Sequence, residues 1–364
     1  MTGSLPFRLG ASSPAVGRPF PSSARSRAGG QAGTGLRFAD LEIRLMMTTT
    51  NGNEAISISN GRLSATVIPH GASLSDLRLS DCAAPLVLGY VNPDIYREDR
   101  QFMGAVIGRY ANRIANGRFR LDGHTVDLER NERGERHLHG GNAGYWSRIW
   151  SVKERSAAKV SFELTGPAGE AGYPGSLHVV ACYEIIDQAT LRLSFEAACD
   201  RDTIVNICHH PYFNFAGSPS TDAHKLTIFS DHYLPSKDTL VPTGEIAPVT
   251  GTPFDFTSPR GLPKHKFNNT YPLHRLQAGP LAHAATLSCG DVEMELWTTQ
   301  PGLHLYDGYK LSGSHAGHLG IPYPERSGIC LEPQAWPDSP NRSHFPSAVL
   351  RANATYRQVN EYRF

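Results

Sequence analysis

The sequence predicts an all-β protein, a large antiparallel sandwich. Three observations point there. Residues 160–164 (Val-Ser-Phe-Glu-Leu), 191–195 (Leu-Arg-Leu-Ser-Phe) and 292–296 (Val-Glu-Met-Glu-Leu) alternate apolar and polar side chains, the period of two that a half-buried strand imposes. Turn-forming pairs, Asn60-Gly61, Asp122-Gly123 and Ser312-Gly313, punctuate the chain, as hairpins require. The third is the lack of any helical period sustained beyond about two turns. The 35 glycines and 26 prolines among 364 residues suit many short strands better than long helices.

The patterned part begins at residue 54 with Glu-Ala-Ile-Ser-Ile-Ser and shows no linker that would divide it. The expectation is one β-sandwich domain over 47–364. Residues 1–46 differ. Ser, Gly, Ala, Pro and Arg dominate, and the first acidic residue is Asp40. This segment reads as a disordered tail or as sequence upstream of a true start at Met46 or Met47. Its Arg- and Ser-rich, acid-poor character also fits organellar targeting.

Charge excludes some functions. A formal net charge of +1 gives no electrostatic footprint for nucleic acid or an acidic membrane. No apolar run reaches the roughly 18 residues of a membrane helix. The six cysteines form no C-x-x-C pair and read as free thiols of a reducing, cytoplasmic protein rather than a disulfide framework.

Four polar clusters carry the candidate chemistry. Gly108-Arg-Tyr-Ala-Asn-Arg-Ile114 sets two arginines and an asparagine close together, donors suited to reading hydroxyls; a solvated strand edge would look the same. His137-Leu-His-Gly-Gly141 puts two histidines on one face of any strand it forms. Cys208-His-His-Pro-Tyr-Phe-Asn214 puts its two histidines on opposite faces, so one of them enters a given pocket. The stretch 330–341 holds Glu332 after an apolar strand end, with Trp336 either a sugar-stacking wall or core. Metal chemistry is poorly supported, since no His-Glu-x-x-His or Cys-rich set occurs. A glycosidase pair would have only Glu332 and Asp338 to use.

These clusters, in this order, resemble the aldose 1-epimerase (galactose mutarotase) family from about Ile56 to Phe364. The resemblance rests on the Gly108–Ile114 motif, Leu121-Asp-Gly123, Leu138-His-Gly-Gly141, His209-His-Pro-Tyr-Phe-Asn214, Pro242-Thr-Gly-Glu245, Gly251-Thr-Pro-Phe-Asp255, Thr298-Thr-Gln-Pro-Gly302 and Glu332-x-Gln-x-Trp-Pro-Asp338. It implies a β-supersandwich that needs no metal or cofactor and acts on a free sugar, as a monomer or weak homodimer. It implies Glu332 as general base, His210 as general acid and His139 as a further catalytic-pocket residue. Asn112, Arg113, Tyr212, Asn268 and Gln300 are implied to bind substrate.

Two departures touch the pocket. Asn268-Asn-Thr-Tyr271 stands where the family commonly has Asp-His-x-Phe, and His209 stands where it has Asn. An Asp-to-Asn exchange turns a pure acceptor into a donor–acceptor amide, so the sugar preference is open. The rivals are a non-catalytic carbohydrate-binding protein, an epimerase of a phosphorylated hexose and a metal-dependent isomerase. For the phosphorylated sugar, the sequence offers only Arg109 and Arg113 as a close cationic pair.

Overall fold

The computed structural model describes residues 52–273, 279–313 and 315–364. The reading of 1–46 lies outside them. The described residues belong to one unit that runs to Phe364, and nearly half the chain is strand, with very little helix.

All three alternating segments are strands. They are Lys159–Gly166, Thr190–Cys199 and Val292–Thr298, with burial alternating along each. They sit in an eight-stranded antiparallel sheet. Its order is Lys225–Ile228, Ala282–Cys289, Val292–Thr298, Thr355–Arg363, Thr190–Cys199, Leu177–Ile185, Lys159–Gly166 and Ser151–Arg155. Side chains from its inner face, among them Phe162, Val179, Leu193, Phe195, Leu287 and Tyr362, form the main core. Burial of this many large apolar groups is the chief stabilising term.

Two of the three turn signals close hairpins. Asn60-Gly61 joins Ile56–Ser59 to Leu63–Ile68. Asp122-Gly123 joins Arg118–Leu121 to His124–Asp127, both residues having positive φ (49° and 83°), as a type I′ turn demands. Ser312-Gly313 instead lies in a loop, after the strand Gly302–Tyr306.

A smaller three-stranded antiparallel sheet packs Asn268–Pro272, Gly302–Tyr306 and Cys330–Gln334 side by side. Its register sets Thr270, His304 and Glu332 in one row. The short strand Cys208–His209 pairs with Val106–Ile107. Beyond it, the His210 amide donates to the Ala105 carbonyl (3.0 Å), and the Gly104 amide donates to the His210 carbonyl (3.0 Å). Buried Asn206 ties the two regions together: its Nδ2 donates to the Ala111 carbonyl (3.1 Å), and its Oδ1 accepts from the Ala335 amide (2.8 Å). Gly140, at φ 84°, packs so closely that a Cβ there would stand 1.8 Å from the Gly108 carbonyl oxygen. Only glycine combines that backbone with that approach.

All six cysteines are free; Cys208 and Cys330 are fully buried and the others partly so. Among the described residues, no helix is long and apolar enough to cross a membrane.

Candidate active site

A cavity of about 240 Å³ opens above the small sheet. Its lining includes Phe102, Asn112, Arg113, His139, His210, Tyr212, Asn268, His304 and Glu332. Seven of the eight residues expected in the site are therefore together. Gln300 is the exception.

Glu332 and His210 meet in this cavity, with His210 Nε2 lying 3.5 Å from Glu332 Oε1. Glu332 is 1% exposed and His210 4% exposed, so both have lost almost all hydration. Two thiols support them. The Cys208 thiol lies 3.3 Å from Glu332 Oε2 and donates to it. Cys330 Sγ lies 3.6 Å from His210 Nδ1. Burial disfavours charge on both catalytic candidates. It pushes the Glu332 carboxyl up to about 8, the Cys208 hydrogen bond and Arg113 charge only partly opposing it. It pulls the His210 imidazole down to about 4. Burial thus favours the neutral form of each group, a protonated carboxyl beside an unprotonated imidazole.

His139 approaches from a different part of the chain. Its ring centroid is 5.9 Å from that of His210 and 4.7 Å from Phe102. Expected alternation would have placed His137 and His139 on one face. The strand ends at Leu138, and His139 has φ 51°, which breaks the period. His137 instead turns its ring to the Tyr173 hydroxyl (2.6 Å) and the Glu129 carbonyl (2.7 Å), a satisfied interior histidine. His139 is locked to Asn112, itself at φ 64°. The Asn112 amide donates to His139 Nδ1 (3.2 Å), and the His139 amide donates to the Asn112 carbonyl (3.1 Å). With Nδ1 accepting, the network assigns the ring proton to Nε2. Burial, then the nearby His210 and Arg113, keep this imidazole neutral, well below its usual value.

Arg113 is held by Glu132 in a bidentate pair of 2.7 and 2.8 Å, and Arg136 adds a third bond at 2.9 Å. Burial alone would raise Glu132, but the bonds and charges of the two arginines outweigh it and bring its carboxyl down to about 2. The Tyr212 hydroxyl is committed to the Gln101 carbonyl (2.8 Å), so its ring, 5.1 Å from His210, forms a wall.

One site reading is corrected, and three left open are decided. Gln300 is buried but lines a separate cavity with Val205, Ala335 and Tyr356. The stretch 298–300 runs along the last strand, with the Thr299 amide bonded to the Val359 carbonyl (3.0 Å), and this turns Gln300 away from the pocket. Trp336 packs with Leu234 and Phe345 and donates to the Pro301 carbonyl (2.9 Å), so it is core. Asp338 accepts from the Ala115 amide (3.0 Å) and is structural. Arg109, 1% exposed, spends its guanidinium on the carbonyls of Gly166, Pro174 and Gly175.

His304 was not anticipated. It stands opposite Glu332 in register. Its Nδ1 accepts from the Thr270 hydroxyl (2.8 Å), and its Nε2 donates to Asn268 Oδ1 (3.0 Å). The alternation of residues 302–306 would have placed it on one face with Gly302 and Tyr306. That this face is the pocket follows only from long-range pairing. Phe102, Glu132 and Tyr306 were missed for the same reason.

His210, Cys330 and Glu332 also have donor atoms within 4.8 Å of one another, a spacing a metal could use among the described residues. The His210 ring, however, lies between its neighbours, Nε2 toward Glu332 and Nδ1 toward Cys330. Such an arrangement passes protons more readily than it converges on an ion.

A buried carboxyl–imidazole pair in an amide-, imidazole- and guanidinium-lined cavity on an all-β frame defines an acid–base site for a polyhydroxy ligand. The aldose 1-epimerase family model matches residues 54–363, and the chain belongs to that family. It is 36% identical to the galactose mutarotase of Sus scrofa over 323 residues, covering 85% of this chain and 94% of that one. It is 32% identical to the aldose 1-epimerase of Escherichia coli (strain K12), covering 84% and 93% respectively. The crystal structure of a GalM/aldose epimerase homologue from C. elegans superposes with a TM-score of 0.80 at 29% identity, covering 85% of this chain and 98% of that one. The all-β supersandwich expected from the sequence is the fold of these neighbours.

Proposed function

We propose that this protein interconverts the α and β anomers of a free aldose, with Glu332 and His210 moving the proton. The observation that carries the reading is the buried 3.5 Å contact between His210 Nε2 and Glu332 Oε1. Ring opening removes the C1 hydroxyl proton and adds one to the ring oxygen as the C1–O5 bond breaks. It therefore needs one base and one acid. In the resting site the proton sits on Glu332. Passing it across the 3.5 Å contact to His210 leaves carboxylate as base and imidazolium as acid. Glu332 then takes the C1 proton, and His210 protonates the ring oxygen. The open aldehyde turns about C1–C2, and closure on the other face reverses both transfers. No covalent intermediate forms. His139, Asn112, Arg113 and Asn268 hold hydroxyls, with Tyr212 and Phe102 as walls. Its six free thiols suit the cytoplasm, where hexose metabolism would use it.

The pH dependence tests this directly. Below about 4 His210 takes a second proton and the pair has no base. Above about 8 Glu332 gives up the only proton and the pair has no acid. The kcat/KM for mutarotation, followed by polarimetry, is expected to form a bell between these limbs. A profile with no loss of activity below about 4 or above about 8 would refute the pairing.

Asn268 is expected to set sugar preference. Asn268→Asp replaces an amide by a pure acceptor facing His304 Nε2. The ranking of glucose, galactose, xylose and arabinose by kcat/KM should change. An unchanged order would remove Asn268 from specificity.

A further inference from the structure

Two cations line the cavity without a carboxylate partner among the described residues. Arg100 is exposed and donates to the Asp99 carbonyl (3.0 Å), its guanidinium 5.3 Å from the Trp146 ring. Lys310 is exposed, its ammonium 5.5 Å from the Tyr309 ring. A bond between Gln101 Nε2 and Ser312 Oγ (3.5 Å) joins the loops that carry them. Arg113 differs, since Glu132 already neutralises it.

The surroundings add positive charge. Burial and the charges of Arg113, Arg133 and Arg136 lower the Lys310 ammonium from its ordinary value, Glu132 opposing them. Beside these five cations stand the carboxylates Glu132 and Glu135, which Arg113 and Arg136 engage. A chain of net charge +1 has thus concentrated unpaired positive charge at one opening. A neutral sugar could hydrogen-bond to these two groups but would leave their charge uncompensated. The reaction fixes C1 at the deep pair, His210 and Glu332, so the carbons remote from C1 face the mouth.

Building on the epimerase reading, we propose that the preferred substrate is an aldose bearing an anionic group on the side remote from C1, a carboxylate or a phosphate, held by Lys310 and Arg100. The cations the sequence offered for such a group, Arg109 and Arg113, are engaged elsewhere in the fold. Those that can hold it come from two other loops. Charge-assisted bonds to such an anion are the strong kind, and focused positive charge speeds its capture.

The test uses the full chain and NMR exchange between anomers, with rates net of the uncatalysed reaction. Glucose is compared with glucuronate and glucose 6-phosphate, which separate carboxylate from phosphate. The expected result is a kcat/KM about tenfold higher for at least one anionic sugar than for glucose. Added salt should erode this advantage. In the double variant Lys310→Gln, Arg100→Gln the ratio of anionic to neutral kcat/KM should fall about tenfold, mainly through KM. Both side chains are exposed, so the variant keeps its core. Glucose turning over as well as both anionic sugars, or a ratio that the double variant leaves in place, overturns the proposal alone. No acceleration of any of the three overturns the epimerase reading and the proposal with it.

Discussion

Glu332→Gln should fold normally and lose about 10²–10⁴ in the rate of mutarotation, the usual worth of a positioned acid–base group. The carboxamide keeps the shape and still accepts from the Cys208 thiol, which lies 3.3 Å from Oε2. It can neither take nor give the proton. His210→Asn should cost a similar factor. Freshly dissolved sugar followed by polarimetry measures both, and a near-normal rate in either variant would end the assignment. The same substitution has a stability signature. Burial pushes the native carboxyl up to about 8 from an ordinary 4.5. Between those values the native state holds a proton that the unfolded chain releases. Stability of the wild type therefore falls as pH rises from about 4.5 through about 8. Gln mimics the protonated acid, so Glu332→Gln should melt above wild type at alkaline pH, with the gap closing toward pH 4.5. A purely structural glutamate would not couple lost activity to gained alkaline stability in this way.

His209→Ala should cost about 2–4 kcal/mol of folding stability, measured by denaturant unfolding. This ring points away from the cavity. Its Nδ1 lies 2.9 Å from the Tyr362 hydroxyl and its Nε2 3.1 Å from the Gly104 carbonyl, and it is fully buried. Truncation strands two buried polar groups and opens a void, two penalties that add. Burial pulls its imidazole down to about 3, so it is neutral in the folded protein. The unfolded chain gains a proton near the ordinary 6.5 while the native state does not. The wild type should lose this contribution as pH falls from about 6.5 toward 3. Because Gly104 also fixes the His210 backbone, the variant should lose kcat as well. A loss below about 0.5 kcal/mol, the range of an ordinary surface change, would show that the ring is dispensable.

The contrast between His209 and His210 shows how far each level of description reaches. Adjacent residues on an extended chain face opposite ways, so sequence alone divides the two. Motif order then favours His210, and the fold agrees by placing its ring against Glu332. Alternation also located the strands around residues 160, 191 and 292, since a period of two is a local property that burial on one face imposes. Asp122-Gly123 was legible for a similar reason: the turn it makes depends on two residues and their φ.

What tertiary structure alone decided is whatever depends on register or on a local break in the backbone. His304 faces Glu332 because two strands far apart in sequence pair in one register, and nothing local encodes that choice. Gln300 was misplaced because the stretch before the strand follows the C-terminal strand. His139 left the face of His137 because a left-handed residue ended the strand. The proton inventory of the site belongs here too. Glu332 and His210 have ordinary pKa values as isolated residues. Only the removal of water by the surrounding core favours the neutral form of each, because desolvation penalises the charged form.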